Sequence, residues 1–172
     1  MLKRTHIMLH HSLTRDGSTA SWGELRRHHV DTLGWRAIGY HFGIELVGDY
    51  YEVLLGRSEL ERAAACRQSR MNLLALHVCC VGNFDREPPP RAMLEPLVEL
   101  VIAPAMVEYG IPAEHIVGHR DFNTEKSCPG TQFDLEVVRR MCRPLTQVVT
   151  PRPAAKGNVI SLPQRTTRRK AS

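Results

Sequence analysis

The chain has 172 residues, 42% hydrophobic and 24% charged, the proportions of a soluble globular protein long enough for one ordinary domain. No apolar run approaches the roughly 18 residues that a membrane-spanning helix needs. The net charge of +5 is uneven: Thr146 to Ser172 holds six basic residues and no acid, which leaves about −1 for residues 1–145 and excludes a strongly basic body.

The predicted elements alternate. Thr5 to His10 reads as a short strand, behind an N-terminus whose apolar run, Ile7 to Leu9, is too short for a signal-peptide core. A polar loop around Asp16-Gly17 follows. Ser21 to Glu24 has capping-box spacing, with Trp22, Leu25, His29 and Leu33 on one helical face and Gly34 as the stop. Tyr40 to Glu45 and Tyr50 to Leu55 read as a hairpin about Val47-Gly48-Asp49. The near-continuous apolar run Leu73 to Val81 predicts a strand buried on both faces.

After Pro88-Pro89-Pro90, the residues Leu94, Leu97, Val98, Val101, Ile102, Ala105 and Tyr109 predict one long helix, kinked at Pro104. Ile116 to Gly118 reads as a strand. Asp134 caps a last helix from Leu135 to about Cys142, ended by Pro144. The sum is an α/β fold: a single domain over residues 1–145, with a mixed central β-sheet flanked by helices, then a basic tail over 146–172 without a periodic apolar face.

Chemistry concentrates in the connection before the last helix, GHRDFNTEKSCPG, residues 118 to 130. His119, Lys126 and Cys128 bring a metal ligand, a cation and a thiol into ten residues, and Pro129-Gly130 fixes a turn that lets the loop double back. A catalytic zinc site needs a third protein ligand and an open position. IMLHHS offers His10 and His11, but neighbours on a strand face opposite ways, so only one can turn toward a site. His115 and His119 are four apart, yet the strand-like residues between them and the missing glutamate argue against a helical zinc motif. The other histidines, including His77, read as packing or solvated residues. Five cysteines without a C-x-x-C pair argue against a disulfide framework, and Cys66, Cys79, Cys80 and Cys142 read as small buried apolar groups.

These segments, taken in order, carry a resemblance. IMLHHSLT, GWRAIGYHFGI, VCCVGNFD and GHRDFNTEKSCPG resemble the four characteristic segments of the zinc-dependent N-acetylmuramoyl-L-alanine amidases, the superfamily of phage lysozyme amidases, muropeptide-recycling amidases and peptidoglycan recognition proteins. The similarity runs over about residues 5 to 142, and the Lys-x-Cys arrangement of Lys126 and Cys128 is most similar to the phage type. One segment departs from the pattern: AAACRQSRMN lacks the histidine that phage-type members often carry ahead of an asparagine, here matched by Asn72.

The resemblance implies a Zn2+ ion held by His10, His119 and Cys128, with Tyr40 and Lys126 as catalytic residues. It implies hydrolysis of the amide between N-acetylmuramic acid and L-alanine, with peptidoglycan or muropeptides as the partner and no oligomer required. Zinc would polarise the carbonyl and lower the pKa of a water toward about 7. Lys126 would face the developing oxyanion, and Tyr40 would orient the water or the tetrahedral oxygen. A non-catalytic recognition module stays open as an alternative. So does a Cys–His hydrolase with Cys128 as nucleophile and His119 as base, though that reading leaves His10, Tyr40 and Lys126 without roles. Cytoplasmic synthesis without a signal peptide suits either an endolysin that reaches the cell wall after holin-type release or a recycling enzyme, and the Lys-x-Cys arrangement favours the endolysin.

The basic tail is expected to add weak contact with an anionic polymer such as cell wall. Deleting residues 146–172 should therefore weaken wall binding at low salt while sparing turnover of small muropeptides. Sedimentation with purified sacculi at two salt concentrations checks this; unchanged binding at low salt would show the tail to be incidental.

Overall fold

Five strands of the computed structural model, which describes residues 3–13 and 21–148, pair into one mixed sheet in the order β3-β2-β4-β1-β5. They are β1 (His6–His11), β2 (Phe42–Val47), β3 (Tyr50–Leu55), β4 (Ala75–Cys80) and β5 (Ile116–Gly118). β4 lies between β1 and β2, parallel to both, and β5 pairs parallel to the far side of β1. Only β2 and β3 are antiparallel, as the expected hairpin, with Gly48 at φ +62 in its turn. Every residue of β4 is buried, because a central strand flanked by parallel neighbours is covered on both faces.

Alternation along β1 and β4 divides the interior. Ile7, Leu9, Leu76, Val78 and Cys80 face the main core, where they meet Leu97, Val98, Val101 and Ile102 of the long helix and Val138 and Cys142 of the last one. Each such aliphatic side chain, fully withdrawn from water, contributes about 1.5–3 kcal/mol. The residues between them, Met8, His10, His77 and Cys79, face the opposite side, where Met71, Trp22 and Tyr40 lie. Cys79 and Cys80 thus join different clusters, and none of the five cysteines forms a disulfide.

The helices are α1 (Trp22–Arg27), α2 (Met71–Leu74), α3 (Arg91–Pro96), α4 (Ala103–Tyr109) and α5 (Leu135–Val148). Ser21 caps α1 by accepting from the Glu24 amide at 3.3 Å. Glu24 does not reach back to complete a capping box; it pairs with Arg27 on the same face. A wider turn, His28–Thr32, continues α1 up to Gly34, which takes a left-handed φ of +68.

Several predicted boundaries move. β1 starts and ends one residue later than expected, and β2 starts at Phe42, because the Tyr40 and His41 carbonyls accept from Arg57 and Gly56 outside the β2–β3 ladder. Leu73 and Leu74 belong to α2 rather than to the central strand. An uninterrupted apolar run has no period to separate the two states; here the Leu73 carbonyl turns to Arg4 at 2.9 Å and the Leu74 carbonyl to the Thr5 amide. The long helix passes Pro104 as a first-turn residue of α4. The adjustment falls on the preceding turns, Leu97–Ile102, where bonds such as Ala103 N–H to the Val98 carbonyl span five residues. α5 runs through Pro144 to Val148, so proline there removes one donor without stopping the helix. The first three residues assigned to the tail are therefore helical. The remainder of the tail and the Asp16-Gly17 loop lie outside the described residues. Among the described residues no helix is long and apolar enough to cross a membrane.

Arg4 and His41 bind the 57–62 segment to the sheet. The Arg4 guanidinium, 2% exposed, donates to the carbonyls of Glu59, Glu61, Leu73 and Ala75. His41 accepts the His77 amide on Nδ1 at 2.9 Å and donates from Nε2 to the Glu61 carbonyl at 3.0 Å, which makes it the neutral Nε2–H tautomer. Burial, with Arg4 adjacent, lowers its pKa to about 4. A histidine whose folded pKa is depressed stabilises the fold above its unfolded value near 6.5 and loses that contribution as pH falls toward 4. The metal-free protein should therefore lose about 1.4 kcal/mol of unfolding free energy per pH unit from this group alone below pH ~6.5. Denaturant titrations at pH 7, 5.5 and 4.5 read the slope; a flat profile would contradict it.

Candidate metal centre

Strand alternation chooses between the two adjacent histidines. His10, paired with Cys79 across β1–β4, projects away from the long helix and is 1% exposed. His11 projects the other way, stacks on Phe84, and accepts the Phe84 amide on Nδ1 at 3.3 Å.

The other two candidates come from the loop between β5 and α5. His119 follows β5 directly, in a short turn tied back by the Asp121 carboxylate, which accepts the Gly118 amide at 2.8 Å. The loop then doubles back. The Arg120 amide donates to the Cys128 carbonyl at 2.7 Å, and its guanidinium donates to the Gly130 and Phe133 carbonyls. Asp85, beyond β4, accepts from the Ser127 hydroxyl at 2.7 Å and the Thr131 amide at 2.8 Å, and these bonds hold its carboxyl below the usual range. Glycine is required at position 130: φ is +124, and a Cβ there would come within 2.4 Å of the Phe84 backbone. The Cys128–Pro129 peptide is cis.

His10, His119 and Cys128 converge, each offering one ligand atom, all within 4.8 Å of one another. The His10 and His119 rings are 4.9 Å apart, and Cys128 Sγ lies 3.5 Å from His10 Nδ1. Burial, then the neighbouring histidines, pulls the His10 pKa well below its ordinary value. Burial, then the Lys126 charge, lowers that of His119. Burial pushes the Cys128 thiol up to about 12, against partial relief from the His11 amide. Without metal the cluster is thus two neutral imidazoles and a neutral thiol. A dication can displace the thiol proton, and two nitrogens with one sulfur suit tetrahedral zinc with a fourth position left open. The residues present fit the ion.

Tyr40 is half-buried with its ring 5.2 Å from that of His10, and burial, then the neighbouring Cys79 and Cys128 thiols, raises its pKa well above the ordinary value, keeping it a phenol. Lys126 stands on the exposed rim two residues before Cys128. Three contributors went unread in the sequence: Asp85 and Arg120, which lock the loop, and His77, fully buried behind His10. Only the β1–β4 register could have flagged His77, since it places that residue beside Met8 on the face that carries His10. In the segment that departs from the amidase pattern, Asn72 holds its own loop by accepting the Ala65 and Cys66 amides, both at 2.8 Å. A hollow of about 260 Å³ beside it is lined by Arg62, Arg67, Arg70 and Leu73.

A family model described as N-acetylmuramoyl-L-alanine amidase matches residues 2–131. The chain belongs to that family. Among its relatives is peptidoglycan-recognition protein LB of Drosophila melanogaster, 25% identical over 138 residues; the chain spans 57% of that protein's length, and the match covers 77% of the chain. A solved structure of the same fly protein, a mutant in complex with tracheal cytotoxin, superposes with a TM-score of 0.65 at 26% identity, covering 80% of this chain and 81% of that one. The amidase LysC from Clostridium intestinale URNW gives 0.68 at 25% identity, over 83% and 87%. The endolysin amidase LysCS from the same source gives 0.66 at 25%, over 83% and 85%.

In this amidase-family chain, Cys128→Ser should abolish stoichiometric zinc binding, because a serine hydroxyl is a far weaker ligand than a thiolate at neutral pH. The core rests on apolar burial, so the variant should still fold. Metal content after dialysis and the circular dichroism spectrum check both points; a folded variant that retains one zinc per chain would remove Cys128 from the ligand set.

Proposed function

We propose that the protein is a zinc-dependent peptidoglycan amidase that hydrolyses the amide between N-acetylmuramic acid and L-alanine, and that it acts as a phage-type endolysin. The observation that carries this reading is the convergence of His10, His119 and Cys128 ligand atoms within 4.8 Å beside Tyr40. Family membership supports the substrate class, and likeness to an endolysin amidase supports the role. On this reading the chain meets its substrate at the cell wall, after release through a membrane opened by another protein.

An amide is a poor electrophile, so its hydrolysis needs an activated water and a polarised carbonyl, which zinc supplies when bound. His10, His119 and Cys128 would hold the ion. Their tight backing from β1, β4 and the locked 119–131 loop restricts them to one arrangement, and such preorganisation strengthens transition-state contacts. Tyr40, kept as a phenol by burial, stands beside His10, where its O–H would orient an oxygen held at the site. Lys126, on the solvent rim, can place its ammonium against an oxyanion without occupying a ligand position. A recognition protein without turnover is the second reading, favoured by the likeness to the fly recognition protein; the intact three-ligand cluster favours the enzyme.

Chelation should stop release of free stem peptides from purified sacculi, and added zinc should restore it. Lys126→Ala should keep its zinc and lose roughly tenfold to a thousandfold in turnover, the range for removal of an oxyanion donor. Turnover that survives complete metal removal but is lost to a thiol alkylator would instead favour Cys128 as nucleophile. Full activity in Lys126→Ala would end the role assigned to that lysine.

A further inference from the structure

His77 is fully buried and lies between His10 and the main chain of α2. Its Nε2 is 3.0 Å from the Met71 carbonyl. A carbonyl only accepts, so Nε2 carries the hydrogen. The neutral ring then has its lone pair on Nδ1, which is 2.9 Å from His10 Nε2. His10 must therefore carry its own hydrogen on Nε2, leaving the Nδ1 lone pair free on the side where Cys128 Sγ sits at 3.5 Å. The opposite direction would place hydrogens on both nitrogens of His77, a cation with no water access, at a large desolvation cost.

We propose that His77 is a positioning residue for the metal: anchored by the Met71 carbonyl, it holds His10 in the Nε2–H tautomer and so presents the Nδ1 lone pair to zinc before any ion arrives. The inference rests on the zinc-site reading above. Its anchor lies in the segment whose sequence departs from the amidase pattern. There Ser69 and Arg70 adopt left-handed φ values of 47 and 61, and Asn72 ties the loop to itself. That segment thus shapes the metal centre through a carbonyl and an imidazole without supplying a ligand. The base of the His77 ring is pinned as well, since its own amide donates to His41 at 2.9 Å. Histidine ligands commonly donate their second N–H to a carboxylate or carbonyl. A neutral imidazole in that place orients the ligand without adding negative charge, and so preserves more of the ion's pull on an oxygen.

Two measurements on the full chain test this. Long-range proton–nitrogen correlation spectra of the metal-free, 15N-labelled protein should show both His10 and His77 protonated on Nε2. Competition with a chromophoric chelator should show His77→Phe binding zinc about 10–100-fold more weakly, while His77→Asn, whose amide oxygen can stand at the Nδ1 position, stays within about threefold of the parent. A merely structural role would weaken both variants alike, and melting of the metal-free forms reports folding separately. His10 protonated on Nδ1 would overturn the proposal, as would a folded His77→Phe with undiminished affinity or a His77→Asn as weak as the Phe variant. If His77→Phe does not fold, the tautomers in the parent protein decide. Parent protein that binds no zinc, yet shows both Nε2 protons, would overturn the metal reading itself and with it the purpose assigned to His77.

Discussion

The parallel pairing of β1 with β4 is the constraint on which the site depends. It sets Met8 against His77 and His10 against Cys79, and strand alternation then sends all four side chains to the same face. A slip of one residue would turn His10 into the apolar core and bring Leu9 out in its place. The main core prevents that slip, because Ile7, Leu9, Leu76, Val78 and Cys80 are all wanted on the other face by the long helix and α5. Hydrophobic register on one side of the sheet thus secures polar chemistry on the other.

The second half of the site is built by a different kind of force. The loop from His119 to Thr131 has few apolar side chains to bury, and it is held by polar contacts that satisfy its backbone. Arg120 clasps the Cys128, Gly130 and Phe133 carbonyls, and Asp85 gathers Ser127 and Thr131. These contacts reach from the loop to itself and to the exit of β4, so Cys128 is carried to His10 by groups that never touch a metal. A buried, protonated thiol beside two neutral imidazoles leaves the metal-free cluster uncharged, which avoids the desolvation cost of holding charged ligands in the interior.

A row of buried histidines links this centre to the sheet edge. His10, His77 and His41 stand one behind another, with ring centroids 5.1 Å and 5.9 Å apart, and Arg4 closes the row against the carbonyls of the 57–62 segment. Each ring has one nitrogen donating and one accepting, so all three can remain neutral without an unsatisfied atom. Polar groups of this kind are costly when half-paired, and here the order of donors and acceptors runs in one direction from Met71 to Cys128.

Much of this was legible in the residues themselves. The hairpin at Gly48, the long helix after Pro90 and the cap at Ser21 followed from periodicity and turn chemistry, local properties of the chain, whereas the set His10, His119 and Cys128 came from the resemblance of four ordered segments to the amidases. The boundaries of β4 and α5 were not legible, because an apolar run without a period and a proline near a helix end leave the choice to packing. The roles of His77, Asp85 and Arg120 were hidden for a related reason. Each acts on a residue far away in sequence, His77 on His10 and Asp85 on Ser127, and nothing within a short window marks such a pair. The sequence by itself determined the fold class and which side chains could meet a metal; only the tertiary structure decided which nitrogen of His10 faces it, because a tautomer depends on a partner that the strand register brings into contact.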